Sequence, residues 1–158
     1  MADPISAPEE TFSCHTPLGW VTVHVEEERI CRLTISPEEP ASSVRESALG
    51  RVACDAIQAW LAGGPWPQGL PLAPRGTAFQ EKVWRALRRI PPGTRVTYGE
   101  LAERLGTGPR AVGGACRANA IPLLIPCHRV VAARGDGGFA GHTRGHWLEI
   151  KRWLLEHE

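Results

Sequence analysis

Residues 97–131 read TYGELAERLGTGPRAVGGACRANAIPLLIPCHRVV, and this stretch decides the fold of the second half of the chain. Leu101, Ala102 and Leu105 form one apolar face of a short helix, with Thr97 as its N-cap and Glu100, three residues on, as the capping-box partner. Gly106, Thr107 and Gly108 interrupt the pattern. Pro109 suits the first turn of a second helix running to about Ala118, because the first N–H groups of a helix have no intrahelical acceptor and proline loses nothing by lacking one. Helix, short Gly-containing turn, helix is the helix-turn-helix outline. Residues 121–131, IPLLIPCHRVV, then read as an apolar strand-like run broken by Pro126.

The second of these helices is short of bulk. Ala111, Gly113, Gly114, Ala115 and Ala118 leave it nearly bare, and two adjacent glycines in a helix interior cost roughly 1 kcal/mol each relative to alanine. Such a surface is kept for close approach, either by a neighbouring helix or by a nucleic-acid groove. Arg110 near its start and Arg117 near its end favour the groove. Cys127 poses a similar choice. A single cysteine is commonly a small buried hydrophobe, but a thiolate is a nucleophile, and an imidazole, an arginine or a helix dipole beside it lowers its pKa. His128 and Arg129 follow at once. Successive strand side chains point to opposite faces, so contact from Cys127 to His128 requires a bend, which Pro126 can supply, or a bridging water. Spacing alone leaves both readings of Cys127 open.

Outward from this stretch, Phe79, Val83, Trp84, Leu87 and Ile90 make a helical stripe ended by Pro91, Pro92 and Gly93. His146–Glu158 reads as a closing amphipathic helix with Trp147, Ile150, Trp153 and Leu154 inward. GDGG at 135–138 is a loop. Towards the N-terminus, residues 63–76, GGPWPQGLPLAPRG, hold four prolines and four glycines and read as a linker. Before it, Val44, Ala48, Val52, Ile57, Trp60 and Leu61 fall at helical spacing over 43–62. The run from Leu18 to Ile35 alternates Trp20, Thr22, His24 against Val21, Val23, Val25, a hairpin or meander with a charged turn at Glu26–Arg29. Residues 1–11 are Pro, Glu and Ala rich and are expected to fray.

The 158 residues are 42% hydrophobic and 22% charged, without an apolar stretch of membrane-spanning length. A net charge of +1 conceals two opposite halves. Residues 1–74 carry 4 Lys+Arg against 10 Asp+Glu, a balance of −6, and residues 75–158 carry 14 against 7, a balance of +7. An acidic module therefore precedes a basic one of the kind that binds nucleic acid. Only Lys82 and Lys151 of the 18 cations are lysines. Five cysteines, an odd number without close pairs, argue against a disulfide framework. The N-terminus MADPISAPEE lacks a basic and an apolar signal region, so reduced thiols and a cytoplasmic, nucleoid-associated location are expected. Cys14, His15, His24 and Cys31 lack the close Cys spacing of a zinc site, and no metal or other cofactor is expected.

The string from Arg110 to Val131, RAVGGACRANAIPLLIPCHRVV, closely resembles the signature of the O6-alkylguanine-DNA alkyltransferases, repair proteins that move an alkyl group from guanine O6 to their own cysteine. FQEKVWRALRRIPPGTRVTYGELA upstream and the terminal KRWLLEHE resemble the family too, so the likeness covers residues 76–158. It implies an α+β, α/β chain of two domains. Residues 12–62 would be a ribonuclease-H-like small sheet plus helix, 63–76 a linker, and 77–158 a mostly helical, winged helix-turn-helix-like domain holding the active-site cysteine. The resemblance implies Cys127 as alkyl acceptor, His128 as its base through a water, Glu158 orienting the imidazole, and Asn119 tethering the turn before the cysteine. Tyr98, the single tyrosine, would supply a proton as the guanine leaves. The helix with Ala111, Gly113, Gly114 and Arg117 would enter the minor groove of double-stranded DNA, and Arg110 would fill the gap left by the flipped nucleotide. Val130, Ala133, Phe139 and Ala140 would line the pocket with Tyr98 and Cys127.

Displacement at an O-alkyl carbon needs a soft anionic nucleophile in line with the C–O bond and a donor for the departing oxyanion, so no cofactor is implied. The base cannot be reached inside a duplex and must be extruded. Phe139 and Ala140 stand where some relatives have Tyr and Ser, so hydrogen bonds to O6 there would come from backbone N–H groups. The segment from His142 to Trp147 is longer than in some relatives. A monomer acting once is expected, on O6-alkylguanine and with O4-alkylthymine as a further candidate substrate. Two alternatives belong to other classes: an alkyltransferase-like protein that binds the lesion without transfer, against which Cys127 itself argues, and a helix-turn-helix transcription regulator reading the major groove. Cys116 is expected to pack internally, and His142, His146 and His157 to lie at the surface.

Overall fold

A computed structural model describes residues 9–41, 45–134, 137 and 145–158. The chain divides into two compact units, Met1–Pro74 and Arg75–Glu158. In the first, β1 (Glu10–Thr16), β2 (Gly19–Glu26) and β3 (Arg29–Ser36) form an antiparallel meander in the order β1-β2-β3. The alternation read from the sequence sets its faces, with Val21, Val23 and Val25 buried. Helix α1 (Ala48–Leu61) packs on that inner face through Ala53, Cys54, Ile57, Trp60 and Leu61, and Ser47 caps it by accepting from the Gly50 N–H. Gly50 is where β1 comes closest: a Cβ there would lie 2.8 Å from Phe12 Cβ.

Three expectations about this unit change. Glu10 and Thr11 do not fray; they pair with Val25 and His24, and Thr11 also exchanges backbone bonds with Arg45 and Ser47. The helix begins at Ala48, and Val52 is exposed, because the buried face runs 50, 53, 54, 57, 60, 61 and position 52 lies about two hundred degrees round from 50 at 100° per residue; Val44 lies outside the described residues. The Pro/Gly stretch is not a free tether throughout. Ile30 N–H donates to the Pro71 carbonyl at 2.9 Å and Ala73 N–H to the Ile30 carbonyl at 2.8 Å, which zips Leu72 alongside β3. Pro71 fits there because its carbonyl, not an N–H, makes the bond.

The second unit contains α2 (Ala78–Leu87), β4 (Val96–Thr97), α3 (Tyr98–Leu105), α4 (Pro109–Arg117), a 3₁₀ turn (Cys127–Arg129), β5 (Val130–Val131) and α5 (His146–His157). Thr77 and Gln80 form a full capping box on α2, and the Thr97 hydroxyl accepts from Glu100 N–H on α3. Gly106 closes α3 in the left-handed conformation, φ 68°. The strand expected over 121–131 is replaced by turns through residue 125, with Leu123 at φ 74°, then the 3₁₀ turn; extended backbone survives at Val130–Val131. The reasons are local. Pro122 and Pro126 cannot donate to a ladder, and Leu123, Leu124 and Ile125 are all buried, which a coiled segment permits and a one-faced strand does not. Among the described residues, no helix is long and apolar enough to cross a membrane.

Candidate active site and nucleic-acid interface

Asn119 shapes the approach to the cysteine. Its side-chain oxygen accepts from the Ile121 N–H and its amide donates to the Ile125 carbonyl, both at 2.9 Å, so one side chain closes the turn after α4. Cys127 N–H donates to the Ile125 carbonyl at 2.8 Å, closing a γ-turn at Pro126 (φ −79°, ψ 64°); Arg129 N–H to the Pro126 carbonyl at 3.1 Å then starts the 3₁₀ turn, in which the sulfur is buried. Of the groups that favour the Cys127 thiolate, the Asn119 side chain acts most strongly. The turn is the bend that contact between neighbouring Cys and His requires. Beyond it, Val130 and Val131 pair in parallel with Val96 and Thr97. Two residue pairs thereby set Tyr98, the first residue of α3, beside the chain that leaves the cysteine turn.

His128 is fully buried, and its Nε2 lies 3.1 Å from Glu158 Oε1. Burial pushes Glu158 up, but hydrogen bonds from His128 and Arg129 outweigh it and hold the carboxyl at about 2. Glu158 is thus an acceptor only, so Nε2 carries the proton and Nδ1 is left with the lone pair. Burial lowers His128 against the opposing pull of Glu158, and the ring is neutral near pH 7. Glu158 lies just past the end of α5, and its side chain is 1% exposed. Arg129 holds it: Nη2 donates to Oε1 at 2.6 Å, Nε to both carboxylate oxygens, and Nη1 to the Ile90 carbonyl.

The pairing corrects the reading of Arg129 as a neighbour that activates the thiol; its guanidinium serves Glu158. The expectation of a lowered thiol pKa changes as well. Burial raises Cys127, while the Asn119 hydrogen bond and the Lys151 charge pull it back in part. Lys151 is the residue that the sequence reading missed. It is fully buried, donates to the Val130 carbonyl at 2.7 Å and lies 5.8 Å from the Tyr98 ring centroid. Two signals pointed to it: it is one of two lysines in a chain that otherwise uses arginine, and it shares a helical face with Leu154, Leu155 and Glu158.

Around Tyr98, Gly137 sits at φ +76°, and a Cβ on it would meet the ring at 2.9 Å and the hydroxyl at 3.2 Å. Val130 is buried and Ala133 exposed. Phe139, Ala140 and His142 lie outside the described residues, as does most of the 135–138 loop. His146 is exposed, whereas His157 is half-buried and stacks on Trp153 with ring centroids 4.5 Å apart. Of the residues considered for zinc, Cys14 faces the core while His15 and His24 lie on the outer side of the sheet, and His24 pairs with Glu9 at 2.7 Å. Among the described residues, no group of three or more His, Cys, Asp or Glu is placed to hold a metal.

Helix α4 packs on a face that leaves its glycines out. Its inner face is Val112, Ala115 and Cys116, held from within by the Trp84 indole, which donates to the Ala115 carbonyl at 2.8 Å. Arg110, Ala111, Gly114 and Arg117 are exposed and Gly113 half-exposed. A Cβ at Gly113 or Gly114 would meet nothing within 4 Å. Packing inside the described protein therefore does not require these glycines. The turn that holds Cys127 follows directly from the end of this open, basic face.

Residues 78–158 match the family model described as the DNA-binding domain of 6-O-methylguanine DNA methyltransferase. The constitutive methylated-DNA–protein-cysteine methyltransferase of Bacillus subtilis is 36% identical over 157 residues, covering 92% of this chain and 93% of its own. The crystal structure of the Mycobacterium tuberculosis O6-methylguanine methyltransferase superposes with a TM-score of 0.80 at 31% identity, over 95% of this chain and 92% of that one. A structure of Mycobacterium tuberculosis OGT in complex with DNA matches at 32% identity and a TM-score of 0.75, over 94% and 90% of the two chains.

Proposed function

The chain belongs to the O6-methylguanine-DNA methyltransferase family, and from that premise we propose that it repairs DNA by transferring an alkyl group from guanine O6 to Cys127, once per molecule. The observation that carries this reading is the buried turn, closed by the Asn119 side chain on Ile121 and Ile125, in which Cys127 is followed by the His128–Glu158 pair. His128 Nδ1, through a water, takes the thiol proton. The thiolate attacks the alkyl carbon, the carbon–oxygen bond breaks, and the electron pair stays on the guanine, where a proton from the Tyr98 hydroxyl neutralises it. The product is a thioether that no group in the site can reverse.

The partner is double-stranded DNA. Helix α4 lies in the minor groove, with Ala111, Gly113 and Gly114 against the backbone, Arg117 on phosphate and Arg110 in the place of the extruded nucleotide. The flipped base sits among Tyr98, Cys127, Val130, Ala133, Phe139 and Ala140, and O4-alkylthymine is a second substrate. Residues 12–62 are a ribonuclease-H-like domain, 63–76 the connection, and 77–158 a winged helix-turn-helix domain that acts as a monomer. The test is intact-mass measurement after incubation with a duplex carrying O6-methylguanine. One hydrogen exchanged for one methyl, mapped to Cys127 and absent in Cys127→Ser, is expected. Binding without a mass gain under reducing conditions sinks the proposal.

A further inference from the structure

Two of the four cysteines outside the active site meet in the core of the first unit. Cys14 on β1 and Cys54 on α1 are both buried. The Cys54 sulfur reaches the Phe12 carbonyl at 3.7 Å and the Val21 carbonyl at 4.0 Å. Phe12 lies two residues from Cys14 on the same strand face, and Val21 is its cross-strand partner. The Cys54 thiol thus lies over the point where Cys14 projects, and each thiol is the neighbour that acts most strongly on the other's ionisation. We propose that Cys14 and Cys54 form an oxidisable dithiol that closes to a disulfide between β1 and α1.

The chemistry suits a two-electron oxidant of the peroxide class. Cys14 has the small exposure, 7% against 0% for Cys54, and the hydrogen bond from Cys54 lowers its pKa against the effect of burial. Cys14 thiolate attacks the peroxide oxygen, giving a sulfenic acid and water. The Cys54 sulfur displaces the second oxygen as water, and its proton leaves with that oxygen. Two thiols lose two protons and two electrons, and one peroxide becomes two waters. The bond closes a loop between positions 14 and 54, a little over half of the first unit, and so restricts its unfolded state. Cys127 belongs to the other unit and keeps its own thiol chemistry.

The test uses the reduced full-length protein, treated with hydrogen peroxide, blocked with N-ethylmaleimide and digested without reductant. A Cys14–Cys54 linked peptide pair, an intact mass lower by two hydrogens, and a thermal midpoint raised by several degrees and restored by dithiothreitol are expected. Cys14→Ala and Cys54→Ala should each lose the link, and Cys127→Ser should retain it. Recovery of both cysteines as maleimide adducts, or as separate sulfinic acids, from folded wild-type protein would overturn the proposal.

Discussion

At Glu158 one carboxylate serves a neutral imidazole and a buried guanidinium, so changing it acts on both the chemistry and the fold. Glu158→Gln leaves Arg129 without its counter-charge, and breaking a buried pair in this way costs about 3–5 kcal/mol. It also frees the His128 ring to turn, and losing an oriented base slows transfer by roughly a hundredfold or more. The wild-type carboxyl titrates at about 2 rather than its ordinary 4.5. Its stabilising effect is therefore complete above the ordinary value and is lost as pH falls towards 2. Denaturant titrations between pH 6 and about 2 should show that acid-side slope in wild-type protein and a shallower one in the Gln variant; parallel curves would refute the assignment. Lys151 acts through charge. Its ammonium favours the Cys127 thiolate against burial, so Lys151→Met should move the rise of the single-turnover rate to higher pH, with a plateau close to wild type once the thiol is ionised. An unchanged profile with a uniformly lower rate would reduce Lys151 to packing.

At the scale of elements, α4 sets local stability against what approaches it. Gly113 and Gly114 weaken a helix whose inner face is already satisfied, and a methyl at either position meets nothing. Gly114→Ala should therefore stabilise the protein by about 0.5–1 kcal/mol while weakening binding to duplex DNA, because the added methyl occupies the surface where the groove must come close. Stability and affinity measured on the same preparation decide it: tighter or unchanged DNA binding would refute the placement of this face. The β4–β5 pairing is the other element that matters. Two parallel residue pairs position Tyr98 beside the chain leaving the cysteine turn, with no further strand among the described residues to secure them. The sequence reading did not find this ladder, since three valines and one threonine in two dipeptides carry no periodicity.

For the molecule as a whole, the −6 and +7 balances of the two halves predict how it meets DNA. Binding through the basic half should weaken linearly with salt on a log–log plot, and Arg117→Ala should lower that slope by about 1. Fluorescence anisotropy at several salt concentrations tests this, and a slope unmoved by Arg117→Ala would remove that residue from the phosphate contacts. Much of this protein could be read from its residues in order. The meander, the helices, the Thr97 cap and the break at Pro126 follow from period, glycine, proline and hydroxyl placement, which act within a few positions and need no partner elsewhere in the chain. Tertiary structure alone decided that Arg129 serves Glu158 rather than Cys127, that Lys151 stands buried behind the site, and that the α4 glycines face open space. Each depends on which distant segments meet in a low-dielectric interior, where an unpaired charge is too costly to leave, and local pattern contains no record of that meeting.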